Sequence, residues 1–293
     1  MDVGETGTGL VVSQDASVVY VEAVDEVAHW AQGLGWTKLT NCEVVAVSAR
    51  THTVIGTVRM GLPGGSGMAL GPGGKHLYVS GSNAIYVIDT ATITLSRKLR
   101  VFPKEWDYFV VSPNGRTLFA GSPTESGPGP SSDSYVAMID LVDGKVRKLI
   151  ADSAGPSGVA VAPNGRRVFV TYGAAAKGTI FPWVKVFSSQ GALLHTGRIG
   201  STQTGFVIAG KSGIGYVAMR TYGASRDMGN KLGVFDMNTL QLVGTIPYSA
   251  DWYGTGSLSM SADGKRLAVL GQVIGFGESP TNFEVLDVAH GGS

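Results

Sequence analysis

Charge, cysteine and long apolar runs are all scarce in this chain, and each shortage removes a class of protein. Charged residues make up 15% of 293 positions and sum to +1. No segment gathers Lys and Arg into a stripe, so the phosphate-neutralising footprint of a nucleic-acid binder is missing. No apolar run approaches the roughly 20 residues of a membrane helix, and Met1-Asp2-Val3-Gly4 has neither the basic nor the apolar region of a leader. The expectation is a soluble chain, cytoplasmic as given, with an exported and processed form left open. A lone cysteine, Cys42, excludes an internal disulfide framework and any thiolate-based zinc site. It is expected as a small buried hydrophobe beside a strand.

Several motifs are missing as well. There is no HExxH, EF-hand loop, P-loop or GxSxG elbow, and no cysteine arrangement for haem or a quinone. The sequence therefore predicts no cofactor. A divalent cation on scattered carboxylates stays open, because ligands from distant repeats leave no local spacing.

Hydrophobic residues are plentiful at 43%, and the 43 glycines are about twice the usual share. Without a Gly-X-Y period they point to many tight turns. One pattern recurs six times without a gap: GLVVSQDASVVYV from Gly9, GMALGPGGKHLYV from Gly67, YFVVSPNGRTLFA from Tyr108, GVAVAPNGRRVFV from Gly158, GFVIAGKSGIGYV from Gly205 and SLSMSADGKRLAV from Ser257. The turn markers Ala16, Gly74, Gly115, Gly165, Ser212 and Gly264 give a mean period of about 50 residues. Two apolar runs around Pro-Asn-Gly or Ala-Asp-Gly make a hairpin. A third run follows, such as AIYVID from Ala84 or LGVFDM from Leu232, and then a fourth such as TVIGTVRM or QLVGTIPY.

Four strands per 50 residues predict an all-β fold: a single β-propeller over residues 1–293, with about six four-stranded blades and seven as the weaker fit. The blades fall near 7–62, 63–102, 103–152, 153–201, 202–250 and 251–293. Gly158 to Thr171 and the stretch Gly67 to Thr92, ending in VIDTAT, resemble the YVTN family of propeller repeats. Tyr78-Val79-Ser80-Gly81 and Phe169-Val170-Thr171-Tyr172 stand where the family tetrapeptide would be. The resemblance implies the fold and carries over no functional motif. The sixth unit stops after its third strand, which predicts a last blade that is incomplete or closed by the N-terminus.

Inserted residues collect on one rim of such a fold, where second-to-third and fourth-to-first connections meet. The second-to-third connections are long in five units: Ala23 to Asn41, Gly121 to Ser134, Gly173 to Pro182, Thr221 to Lys231 and Gly271 to Asn282. All five tryptophans fall on this rim or within a residue of it, Trp106 and Trp252 just before a first strand. Each is expected either to anchor its loop or to line a pocket. The ligand-binding candidates are Trp30, Trp36, Trp106, Tyr108, Trp183, Arg220, Tyr222, Trp252 and Tyr253. Small residues at Gly9, Gly67, Gly158, Gly205 and Ser257 are expected to leave the channel mouth open, and Tyr108 to narrow it. Glu22, His29, Asp107 and Asp251 are the acid–base candidates.

Two functions follow as expectations. The first is a cofactor-independent enzyme acting on a small molecule by cyclisation, condensation, elimination or lactone hydrolysis. The second is a non-catalytic module that binds a carbohydrate or a protein partner on the same rim. No nucleic acid or membrane partner is expected, and the molecule should be a monomer.

Overall fold

Left-handed turn residues recur through the computed structural model, which describes residues 6–31, 34–60, 63–81, 84–101, 106–122, 135–151, 156–176, 179–198, 202–209, 213–220, 231–247, 257–261, 264–272 and 281–288. Ala16, Gly74, Gly115, Gly165 and Gly264 have φ between 57° and 71°. Each donates its N–H to the carbonyl three residues back, as Gly115 does to Ser112 at 2.8 Å. In two turns an asparagine locks the geometry: Asn114 and Asn164 Oδ1 accept from the N–H groups of Arg116 and Arg166 at 3.0 Å. In the fifth turn the left-handed residue is Gly213, at φ 71°, one position after the marker read from sequence. Ser212 itself lies outside the described residues.

These turns fold the repeats into six antiparallel sheets. Blade 1 holds β1 (Thr6–Val12), β2 (Val18–Ala31), β3 (Leu34–Ser48) and β4 (Val54–Met60). Blade 2 holds β5 (Pro63–Leu70), β6 (His76–Gly81), β7 (Ala84–Asp89) and β8 (Thr94–Arg100). Blade 3 holds β9 (Tyr108–Val111), β10 (Thr117–Ser122), β11 (Tyr135–Asp140) and β12 (Val146–Ala151). Blade 4 holds β13 (Pro156–Val161), β14 (Arg167–Ala176), β15 (Thr179–Ser188) and β16 (Leu193–Arg198). Blade 5 holds β17 (Thr202–Ala209), β18 (Ile214–Arg220), β19 (Lys231–Asp236) and β20 (Gln241–Pro247). Blade 6 holds β21 (Ser257–Met260), β22 (Arg266–Gln272) and β23 (Thr281–Asp287), with no fourth strand among the described residues. The only helical turn among them is the 3₁₀ turn Pro72–Gly74.

The first strands touch in the order β1, β5, β9, β13, β17, β21 and back to β1, which makes the arrangement a closed propeller. Alternation along each strand puts one set of side chains on each neighbouring blade. Six apolar clusters result, one per seam. Leu10, Val12, Val19 and Ala268 fill the seam between blades 6 and 1. Val44, Val58, Leu77 and Ile88 fill that between 1 and 2. Leu118 and Ile85 meet between 2 and 3, Phe119 and Val168 between 3 and 4, Phe169 and Phe235 between 4 and 5, and Leu232 and Leu267 between 5 and 6. Each fully buried aliphatic contributes roughly 1.5–3 kcal/mol, so the seams carry the fold. Ring closure adds a specific tie: the Val12 N–H donates to Ser259 Oγ at 3.0 Å.

Two of the long connections are not loops. β2 and β3 stay paired from Val18↔Ser48 to Ala31↔Leu34, with one bulge between Asp25 and Glu26. β14 and β15 stay paired out to Ala176↔Thr179. Cross-strand pairing thus carries both ribbons past the blade body, where connection length alone predicts a loop. The other three long connections lie largely outside the described residues.

Candidate functional site

One repeat position near the rim, where a first-strand residue faces a second-strand residue, sets the chemistry of the seam beside it. It consists of Gly9↔Glu22 in blade 1, Tyr108↔Gly121 in blade 3, Gly158↔Thr171 in blade 4, Gly205↔Ala218 in blade 5 and Ser257↔Leu270 in blade 6. Gly67 and Ser80 hold the same places in blade 2. In most blades the first strand carries glycine and the second strand carries the side chain. Blade 3 reverses the order.

Gly67 shows why the first position is small. A Cβ there would lie 2.5 Å from the Trp106 carbonyl oxygen and 2.9 Å from the Phe109 ring. The Gly67 N–H donates to that same carbonyl at 2.8 Å. The small residue at Gly67 admits the next blade's backbone. The Tyr108 ring lies beside Gly121 and packs on the cluster shared by blades 3 and 4. A Cβ on Gly121 would meet Tyr108 Cδ2 at 3.2 Å and Val159 Cγ2 at 3.3 Å. Burial pushes the Tyr108 hydroxyl well above the usual phenol range, and the Asp107 charge adds to it.

Trp106 is fully buried. Its indole stands edge-on to Tyr135, with centroids 5.8 Å apart and planes at 73°, inside the cluster between blades 2 and 3. Of the two roles read for the tryptophans, burial supports the anchoring one here. Asp107, half-buried, follows it and ties its N–H to the Gly121 carbonyl at 3.0 Å.

Glu22 is the charged member of this set. It is 0% exposed, on the face of β2 that also carries Tyr20 towards blade 2. Cys42, on β3, donates its thiol to Glu22 Oε1 at 3.2 Å. Burial first, and then the Glu22 charge, push the Cys42 thiol far above its ordinary range, so it stays protonated. Sequence reasoning singled out Glu22 but missed Cys42 as its partner, and missed Ser80 and Thr171 in the equivalent seams. Both are 0% exposed. Thr171 Oγ1 lies 3.2 Å from Ser157 Oγ. The gap-free alignment contained the signal, since all three residues share one repeat position.

The remaining candidates divide by location. His29, Trp30 and Trp36 belong to the extension of blade 1, where His29 is the register partner of Trp36 and Trp30 that of Gly35. Trp183 is the register partner of Tyr172 on β14 and β15. Arg220 ends β18, opposite Thr202. For these five the description stops at the backbone. Tyr222, Asp251, Trp252 and Tyr253 lie outside the described residues. Among the described residues no three His, Cys, Asp or Glu side chains gather as metal ligands would, and no helix is long and apolar enough to cross a membrane.

At the sequence level no protein-family model and no curated protein matches the chain. Solved structures do resemble it. Hydrazine synthase from Kuenenia stuttgartiensis superposes with a TM-score of 0.61 at 18% identity, covering 90% of this chain and 76% of that one. At that identity the likeness concerns the fold: the chain is a six-bladed β-propeller.

Proposed function

We propose that this propeller is a binding module of YVTN type which docks a protein partner on its rim, with the blade 1 extension as the principal arm. The observation that carries this reading is that extension. Pairing of β1 with β2 ends at Thr6↔Val24, and pairing of β3 with β4 ends at Cys42↔Met60. Beyond them the ribbon runs on to Ala31↔Leu34 with no outer neighbour among the described residues. A two-stranded ribbon alone in water is marginal. Contact with another molecule supplies what a third strand would otherwise give, and Trp30 and Trp36 are residue types that interfaces favour. The shorter ribbon ending in Ala176 and Thr179 provides a second arm.

Val24 and Cys42 are register partners, so residues 25–41 can be replaced by Asn-Gly without altering the blade body. The expected result is an unchanged far-UV spectrum and a Tm within a few degrees of the parent. Proteins cross-linked to the intact chain should disappear from the shortened one. If both forms recover the same proteins in the same amounts, the docking reading fails.

A second reading, acid–base chemistry on a small molecule, is favoured by Glu22, a fully buried carboxylate at a position that is Ser, Gly, Thr, Ala or Leu in the other blades. Buried acids that the fold does not demand are functional-site candidates. Glu22→Gln separates the two readings, because it abolishes turnover and leaves rim docking intact.

A further inference from the structure

We infer that the end of the propeller opposite the rim docks on an anionic lipid bilayer, a face separate from the rim and independent of the reading given above. This end is built from the first-to-second and third-to-fourth connections. Each that joins two described strands is four or five residues long, as in 13–17 of blade 1 and 141–145 of blade 3. Equal lengths make a level surface. Neighbouring turns also abut: a Cβ on Gly115 would meet Pro72 Cδ at 3.6 Å, and one on Gly165 would meet Pro113 Cδ at 3.5 Å.

Exposed aliphatic side chains gather at this end. Among the described residues nine large apolar side chains are exposed, by 38–73%. Three pairs, Val54 with Ile55, Leu193 with Leu194 and Leu242 with Val243, fall in the first three residues of β4, β16 and β20. Leu95 is the second residue of β8, Val142 sits in the turn before β12, and Val285 stands two residues before the end of β23. A strand rises about 3.3 Å per residue. All nine therefore lie within about 10 Å of the level surface, the depth to which apolar side chains of interfacial elements sink.

Cations share the same end. Lys75, Arg116, Arg166 and Lys265 follow the turn glycine in four blades, and all four are exposed. Arg50, Lys145, Arg147, Arg167 and Arg266 join them in the turns or beside them. The acids there are already engaged. Asp140 and Asp143 pair with Arg147 at 3.1 and 2.6 Å, and Asp287 pairs with Arg266 at 3.5 Å. Asp15 accepts from the Ser13 and Ser17 hydroxyls, and Asp89 and Asp236 accept from turn N–H groups. Among the described residues nine cations thus face six acids at this end, although the whole chain is nearly balanced at 23 to 22.

The distribution selects the partner. The aliphatics and cations are spread round the whole ring, so a compact protein or one acidic chain would cover only a sector of them. A plane perpendicular to the ring axis meets every blade at once. Insertion of aliphatics and attraction of cations to anionic headgroups are the two forces that hold a protein on a bilayer surface. No single stretch of sequence carries this signal, because its parts lie a blade apart and share a face only in the closed ring.

The test measures co-sedimentation of the whole chain with phosphatidylcholine vesicles, with and without about 30% phosphatidylserine. The expected result is binding at least about tenfold stronger to the anionic vesicles, weakening as salt rises. Lys75→Glu, Arg116→Glu and Arg166→Glu together should abolish it. Leu193→Ser, Leu194→Ser and Val243→Ser together should weaken it about tenfold. All six positions are exposed, so the far-UV spectrum and Tm should match the parent. Arg59→Glu with Arg100→Glu, at the rim ends of β4 and β8, should change nothing. No binding to anionic vesicles, an equal loss from the rim pair, or unchanged affinity after the serine substitutions would overturn the proposal. So would equally tight binding of soluble polyglutamate, since the partner would then be an acidic chain.

Discussion

Blades 1 and 3 solve the same packing problem with opposite residues. In blade 1 the first strand offers Gly9 and the second strand fills the seam with Glu22. In blade 3 the first strand fills it with Tyr108 and the second strand yields with Gly121. Each pair sets one large side chain against a glycine, while the chemistry changes from a buried carboxylate to an aromatic ring. A closely packed seam tolerates such an exchange only when both members change together. One seam is thus sealed by a ring and the other holds a buried acid, which makes blade 1 the more chemically distinctive side of the propeller.

The contrast can be broken most severely at Gly67, where the neighbour is a backbone oxygen that cannot turn away. Gly67→Val should cost about 3 kcal/mol or more through overpacking, read as a loss in urea midpoint. Tyr108→Ala comes next, at about 2 kcal/mol, because the ring is half-buried and its removal leaves a gap beside Gly121. Gly121→Ala should cost about 1 kcal/mol. Combined with Tyr108→Ala its cost should fall well below additivity, since the two positions share one contact. Full additivity would mean that the ring and the glycine are not coupled.

Smaller effects sharpen the blade 1 side. Cys42 is 1% exposed with its thiol held up, so iodoacetamide should label it only after unfolding. Glu22→Gln removes one of the charges that raise the thiol but not the burial that raises it most, so mass spectrometry should still find no labelling in the folded state, and labelling before unfolding would show that the charge rather than burial protects Cys42.

The mildest effect lies with acid. The hydroxyls of Ser13 and Ser17 hold Asp15 down at about 2, and turn N–H groups lower Asp89 and Asp236 in the same way. A carboxyl lowered in the folded state stabilises at pH above its unfolded value, 3.8 for Asp15, and that contribution is lost as pH falls through the folded value. Asp15→Asn should therefore flatten the fall in Tm between about pH 4 and 2, and a parallel curve would show that the turn does not couple to folding.

How much of this was legible beforehand varies by element. The turns were readable because Asn114-Gly115 and Asn164-Gly165 act within a few residues, through a left-handed φ and a side-chain oxygen on a nearby N–H. The blade count was readable for the same reason. The ribbon of blade 1 reads as a loop from sequence, because Gly33 and Gly35 interrupt its strand pattern and only the pairing of β2 with β3 decides between the two. Trp106 was placed on the rim by its position, yet its burial depends on Tyr135, which lies 29 residues away in sequence.

The sequence by itself determined the repeat, its period, its turns and hence the six-bladed plan, since each rests on contacts local to one hairpin. Which small residues face a backbone, which aromatic seals a seam and where a carboxylate is buried were decided only in the tertiary structure. Those properties belong to pairs of blades, and the partners are brought together by closure of the ring.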